Sequence, residues 1–158
     1  MCGICGKYSP EGVQSSQIQR MLDSIAHRGP DDEGTYIHGA IGLGNRRLSI
    51  IDLQSGKQPI SNEDGTIWIV YNGEVFNYVE LRAELEARGH RFSTHTDTEA
   101  ILHLYEDFGP ECLQKLNGQF AIALWDEQER SLFLARDPVG VRPLFYAHSA
   151  GRLVFGSE

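Results

Sequence analysis

The chain has 158 residues, the length of one ordinary domain, and its 41% hydrophobic and 23% charged residues place it among globular sequences and outside the disordered, collagen-like and membrane classes. Lys and Arg number 14 against 22 Asp and Glu, a formal charge of −8 that repels phosphate backbones and anionic lipid and so excludes nucleic acid and membrane as expected partners. Three scattered cysteines, Cys2, Cys5 and Cys112, do not make a disulfide framework, and there is neither a membrane-length apolar run nor a basic-then-apolar leader, so the expected address is the cytoplasm.

In chain order, Ile18, Met21, Leu22 and Ile25 form one stripe and predict a helix over about 16–26. The continuous run Ile67-Trp68-Ile69-Val70-Tyr71 reads as a strand covered on both faces. Asn77 followed by Glu80 has the spacing of a capping box, Leu81 and Leu85 share a face, and Gly89 supplies a stop. A third helix opens at Thr96-Asp97-Thr98-Glu99 and runs to Gly109, with a short fourth after Pro110. Residues 120–125 and 131–135 flank a short polar break and predict an antiparallel hairpin. A last strand is expected at 152–155, with no cap or tail behind it, which predicts that the sequence continues in a longer protein. No repeat or linker divides the chain, so 1–158 is taken as one domain. Many strands and few helices predict stacked sheets covered by helices outside.

Cys2 is the most informative residue. The initiator Met is commonly trimmed before a small side chain, which would leave a cysteine carrying a free α-amine, nucleophile and base in one residue. With reference pKa values of about 8.5 for a thiol and about 7.7–8.0 for an α-amine, the amine can take the thiol proton near neutral pH. The plain alternative is a buried structural cysteine. Cys2 and Cys5 are also spaced like a metal or redox pair, yet no second Cys or His pair completes a zinc pattern and the six His show no metal spacing, so no metal is expected. Cys5 and Cys112 have apolar neighbours and read as inert packing residues.

Met1-Cys2-Gly3-Ile4 is joined, in order, by His27-Arg28-Gly29-Pro30-Asp31, Arg47-Leu48-Ser49-Ile50-Ile51-Asp52, Tyr71-Asn72-Gly73-Glu74, Thr96-Asp97-Thr98-Glu99 and Arg136-Asp137-Pro138-Val139-Gly140. Over essentially its whole length the chain resembles a class II glutamine amidotransferase domain, in particular the N-terminal glutaminase domain of glutamine-hydrolysing asparagine synthetases. The resemblance implies an α+β fold, the four-layer αββα sandwich of N-terminal-nucleophile hydrolases with two stacked, mainly antiparallel sheets. It also implies hydrolysis of L-glutamine through a Cys2 thioester, and no cofactor for this domain. ATP and Mg are expected only in a C-terminal synthetase domain of the same parent, outside this chain, where the ammonia would meet an aspartyl-adenylate. The oligomeric state stays open, a homodimer included.

Thioester chemistry builds negative charge on the amide oxygen and needs donors aimed there. The resemblance assigns them to the Asn72 side chain and the Gly73 N–H, the alternative being an Asn-Gly turn. Zwitterionic glutamine wants a cation for its carboxylate and an anion for its ammonium. Arg47 takes the first role by resemblance, with backbone of Leu48, Ile50 and Ile51 lining the pocket, while Arg46 faces the other way along the strand. Asp97, helped by Glu74, takes the second, unless it serves as an N-cap, a role it could also cede to Thr96. His27–Asp31 is expected to order a loop or pass ammonia, with no proton-transfer role for His27. Arg136–Pro143 is expected to be a loop toward the synthetase domain or an ordinary turn held by an ion pair. The rival functions are the same hydrolase feeding another acceptor, and a non-catalytic regulatory domain of the same fold.

Overall fold

The computed structural model describes residues 1–48 and 56–158. Strands β1 (Gly3–Tyr8), β2 (Asp32–His38), β3 (Ile41–Arg47), β8 (Phe145–Ser149) and β9 (Arg152–Gly156) form one sheet in the order β2-β3-β1-β9-β8, and β4 (Ile60–Ser61), β5 (Ile67–Val75), β6 (Gly118–Asp126) and β7 (Ser131–Arg136) form a second in the order β4-β5-β6-β7. Every pairing is antiparallel.

The two-residue period of a strand sorts side chains into layers. In β5 and β6, Val70, Ala121, Ala123 and Trp125 meet Ile4, Ile41, Leu43 and Phe155 of the other sheet. Their neighbours Ile69, Tyr71, Phe120, Ile122 and Leu124 face α2 (Tyr78–Ala87) and α3 (Asp97–Phe108). On the far side α1 (Ser15–Ser24) lays Ile18 and Leu22 against Cys5, above Gly42 and Gly44, where any Cβ would run into Ile18. The order helix, sheet, sheet, helices is the expected four-layer sandwich, and β5 and β6 are covered on both faces as their continuous apolar runs require.

Two local readings change. The first helix ends at Ser24, and Ala26–Arg28 follow as a 3-10 turn. Asn77 precedes α2, but its side chain makes no capping bond. It bridges the next segment instead, donating to the Lys115 carbonyl at 2.9 Å and accepting from the Asn117 N–H at 2.9 Å. A partner reached across the fold has displaced the local cap. The stop at Gly89 stands, at φ +108°, and the segment after Pro110 is the 3-10 helix Gly109–Lys115.

Candidate active site

At one end of the stacked sheets a cavity of about 130 Å³ is lined by Cys2, Arg47, Leu48, Gly73, Glu74 and Asp97, together with Gly56, Gln58, Tyr71, Thr96, Thr98 and Arg142. It is smaller than the groove of about 600 Å³ beside Lys7, Glu11, Gln14 and Arg152. That groove is a surface furrow with an ion pair, Arg152 to Glu11 at 2.7 Å, in its wall, whereas the smaller cavity brings a thiol together with a buried arginine and a buried carboxylate. Ile50 and Ile51 lie outside the described residues.

Cys2 is half-buried just ahead of β1, and its Sγ sits 3.4 Å from the Leu48 N–H and 3.7 Å from the Leu48 carbonyl. Its own carbonyl accepts from Arg28 Nε at 3.2 Å, and Arg28 Nη1 reaches the Glu158 carboxylate at 2.8 Å. Gly29 follows because no side chain fits there: a Cβ would lie 2.4 Å from the Arg46 carbonyl carbon and 2.5 Å from the Arg47 nitrogen. His27–Asp31 is thus packed on the end of β3 and ties down the Cys2 backbone. The other two thiols are buried, and burial pushes Cys5 up to about 12 and Cys112 up to about 11, so neither ionises at neutral pH.

The adjacent arginines of β3 go to opposite faces. Arg46 turns outward, donating to the Leu22 carbonyl at 3.1 Å and pairing with Glu33 at 2.7 Å, while Arg47 is buried in the cavity wall at 6% exposure.

Along β5 the same alternation organises the donors. The N–H of Tyr71 goes to Gln58 Oε1 at 2.6 Å and that of Val75 to Asp97 Oδ2 at 3.0 Å, both on the edge away from β6. Gly73 lies midway between them, so its N–H points out of the same edge, into the cavity that Gly73 lines. The reason for glycine here is the neighbouring strand, since a Cβ would fall 2.2 Å from the Gln119 carbonyl oxygen. Asn72 turns toward the other sheet, 2% exposed, and its Nδ2 has no hydrogen-bond partner among the described residues. A buried amide without a partner is costly, which marks it as a group that a ligand can satisfy.

Asp97 is the first residue of α3, and Thr96 takes the N-cap, its Oγ1 accepting from the Glu99 N–H at 3.4 Å. The Asp97 carboxylate is left to accept from the Tyr71 hydroxyl at 2.8 Å and from Val75. Burial raises its pKa above the usual carboxylate range, partly offset by these bonds; burial and then Asp97 itself raise Tyr71 well above its ordinary value, so Tyr71 remains a neutral donor. Beneath the helix start Glu99 accepts from the Ser93 and Thr94 N–H groups, each at 2.7 Å. Glu74 is exposed at the rim.

Gln58, Tyr71, Thr98 and Arg142 also line the cavity with no site role expected of them: Tyr71 and Thr98 sit inside motifs read for their neighbours, Arg142 in the 136–143 loop and Gln58 in no motif. Gln58 links Tyr71 to Thr98 Oγ1, 3.4 Å from its Nε2. Arg142 closes the turn 136–143, which is held otherwise than expected. Asp137 does not pair with Arg136; it accepts from the N–H groups of Phe120, Val141 and Arg142 at 3.2, 2.9 and 3.0 Å, and Arg136 donates to the carbonyls of Arg142 and Gly140. A carboxylate surrounded by backbone donors has no need of the neighbouring cation.

The model of the glutamine amidotransferase domain family matches residues 1–158. This chain belongs to that family. Among curated relatives, this glutamine amidotransferase domain is 44% identical over 163 aligned positions to "Asparagine synthetase [glutamine-hydrolyzing] 1" of Bacillus subtilis, covering 100% of this chain and 26% of the relative. It is 39% identical to "Asparagine synthetase [glutamine-hydrolyzing]" of Zea mays, covering 100% and 27%. The chain therefore spans about a quarter of the length of these relatives. Among solved structures, the glutamine phosphoribosylpyrophosphate amidotransferase of B. subtilis superposes with a TM-score of 0.79 at 24% identity, covering 99% of this chain and 42% of the other, which supports the fold of the amidotransferase domain. A second, the allosteric regulatory enzyme of purine biosynthesis, gives 0.82 at 25% identity with the same coverage.

Proposed function

We propose that this domain hydrolyses L-glutamine to glutamate and ammonia through a Cys2 thioester, and that in the longer protein the ammonia serves ATP-dependent asparagine synthesis. The carrying observation is the convergence of Cys2, Arg47, Asp97 and the Gly73 N–H on one cavity, with the unpartnered Asn72 amide beside it. Family membership and the relatives' names support glutamine as the donor. The rival reading as a non-catalytic regulatory domain is not favoured, because Cys2, Arg47, Asn72, Gly73 and Asp97 are all present in the sequence and the relatives are named as glutamine-hydrolysing enzymes.

The chemistry follows from the groups. With Met1 removed, the Cys2 α-amine takes the thiol proton and the sulfur attacks the side-chain amide carbon. The oxyanion is held by Asn72 Nδ2 and the Gly73 N–H. The amine returns its proton to the nitrogen, the C–N bond breaks, and ammonia leaves. Water, deprotonated by the same amine, then attacks the thioester carbon; the C–S bond breaks and the proton restores the thiol. Arg47 holds the substrate carboxylate through its two-point fork, and Asp97, with Glu74 at the rim, holds the ammonium. The domain needs no cofactor for these steps. ATP and Mg belong to the remainder of the protein, as does the synthetase partner, and the setting is cytoplasmic; no helix among the described residues is long and apolar enough to cross a membrane.

The test is a glutaminase assay without ATP, metal or aspartate, on wild type, on Cys2→Ala and on a variant whose N-terminus is blocked by uncleaved residues. Turnover only in wild type is expected. Normal turnover in the blocked variant would overturn the N-terminal-nucleophile mechanism, and a strict metal or ATP requirement would overturn the self-contained site.

A further inference from the structure

A second group of polar side chains lies away from the cavity, where the β4–β5 turn, the segment after α2 and the middle of α3 meet. Ring nitrogens of His90 and His103 and a carboxylate oxygen of Glu63 lie within 4.8 Å of one another. We propose that these three residues form a site for a zinc-class divalent cation, independent of the glutaminase reading.

The argument rests on what each imidazole has left to offer. His103 is 1% exposed; its Nδ1 lies 2.6 Å from the Glu106 carboxylate, and its Nε2, buried, has no hydrogen-bond partner, the nearest carboxylate being Glu99 at 3.9 Å. A carboxylate accepts only, so Nδ1 carries a proton and Nε2 is the nitrogen that a metal ion could take. His90 repeats the pattern with its other nitrogen: Nε2 is 3.1 Å from Asp107, and Nδ1 is 3.6 Å from the nearest Glu106 oxygen, too far for a hydrogen bond. The two orienting carboxylates are themselves fixed, Glu106 by the Asn62 amide at 2.9 Å and Asp107 by Arg88. One ring nitrogen on a carboxylate and the other available is how metal-binding imidazoles are oriented. Glu63 adds an anionic oxygen at the solvent side, its Oε1 accepting from the Arg91 N–H at 3.3 Å.

The donor set selects the ion. Two imidazoles and one carboxylate suit zinc and its neighbours, whereas calcium and magnesium need all-oxygen sets. Tetrahedral ligands at about 2.0–2.1 Å stand about 3.4 Å apart, a gap that the exposed Glu63 and the His90 side chain, 15% exposed, would have to close on binding. The competitor is a proton: burial lowers the His103 pKa, but Glu106 and Glu99 outweigh it and hold it up at about 9.

The purified full-length protein is titrated with cobalt(II), followed by its visible d–d bands, and with zinc in competition. Because Cys2 could also take a soft metal, the Cys2→Ala variant is titrated in parallel. One equivalent with a tetrahedral spectrum is expected in wild type and Cys2→Ala, with affinity reduced at least tenfold in His90→Ala and in Glu63→Gln, both of which keep full glutaminase activity. Absence of stoichiometric binding, unchanged affinity in His90→Ala and Glu63→Gln, or loss of binding in Cys2→Ala would each overturn the site and leave His103 as a buried cation between two carboxylates.

Discussion

The two walls of the cavity are built on different terms. On the wall that carries Asp97, nearly every polar group already has a partner: Tyr71 and Val75 on Asp97, Gln58 on Tyr71 and Thr98, Ser93 and Thr94 on Glu99. On the wall facing Cys2, Asn72 Nδ2 is buried and, among the described residues, unpartnered, and the described neighbour of the thiol is the Leu48 backbone. The first wall is finished by folding; the second is finished only by a ligand. Substitutions on the Cys2 side should therefore fall on the chemical step, and those on the Asp97 side on binding and stability.

Asn72→Ala gives the sharpest contrast. On the proposed oxyanion role, its removal should lower kcat about 100- to 1,000-fold with KM little changed, while the melting temperature stays near wild type because Nδ2 has no partner among the described residues to abandon. An equal loss in kcat and in melting temperature would place Asn72 in the scaffold and erase the distinction between the walls.

Arg47→Lys and Asp97→Asn should each lower kcat/KM by about tenfold to a hundredfold, mostly through KM, since hydrogen bonds to charged groups are worth about 1.5–3 kcal/mol. Arg47→Lys should also lose most of the preference for glutamine over an analogue amidated at the α-carboxylate. Equal discrimination by the two proteins would mean that Arg47 serves the fold.

Glu99→Gln tests the finished wall through stability. Burial raises the Glu99 pKa, but His103 and the bonds from Ser93 and Thr94 more than reverse it and hold it at about 2, below the ordinary 4.5. A depressed carboxylate stabilises the fold above its unfolded pKa and loses that contribution as pH falls through its folded one. Urea unfolding should show Glu99→Gln less stable by about 1.5–3 kcal/mol at pH 7, the gap shrinking between about pH 4.5 and 2. A gap that persists at the acid end would point to packing rather than charge.

The smallest effect is expected for Tyr71→Phe, about threefold to tenfold in KM from one lost hydrogen bond. Its distinguishing mark is that the acid limb of the KM profile moves to higher pH, because Asp97 loses a donor that favours its charged form. A KM change without that movement would assign Tyr71 to packing alone.

What the sequence announces depends on whether the partner is near in the chain. The stripe of α1, the Thr96 cap, the β6–β7 hairpin and the opposite directions of Arg46 and Arg47 follow from periods of 3.6 and 2 and were readable in advance. The Asn77 side chain misled because its partners at 115 and 117 lie across the fold. Gln58, Tyr71 and Arg142 were missed as cavity residues because nothing local distinguishes a strand tyrosine or a turn arginine whose destination is set by tertiary packing. The His90–His103 cluster was passed over for the same reason: its members share no spacing and meet only once α2 and α3 are packed.

The place of β1 in its sheet bears on the order in which the chain matures. β1, which begins immediately after Cys2, is flanked by β3 on one side and by β9 on the other, and the amide of Ile4 is satisfied by Ser157, 153 positions away. Contacts of such separation form late, since the intervening loop must be closed before they contribute. At about 5–20 residues per second on the ribosome, the segment carrying Cys2 waits on the order of 10–30 s for the strand that completes its sheet. Until then one edge of β1 is open, and the Met1–Cys2 end remains accessible for the trimming that the proposed mechanism requires.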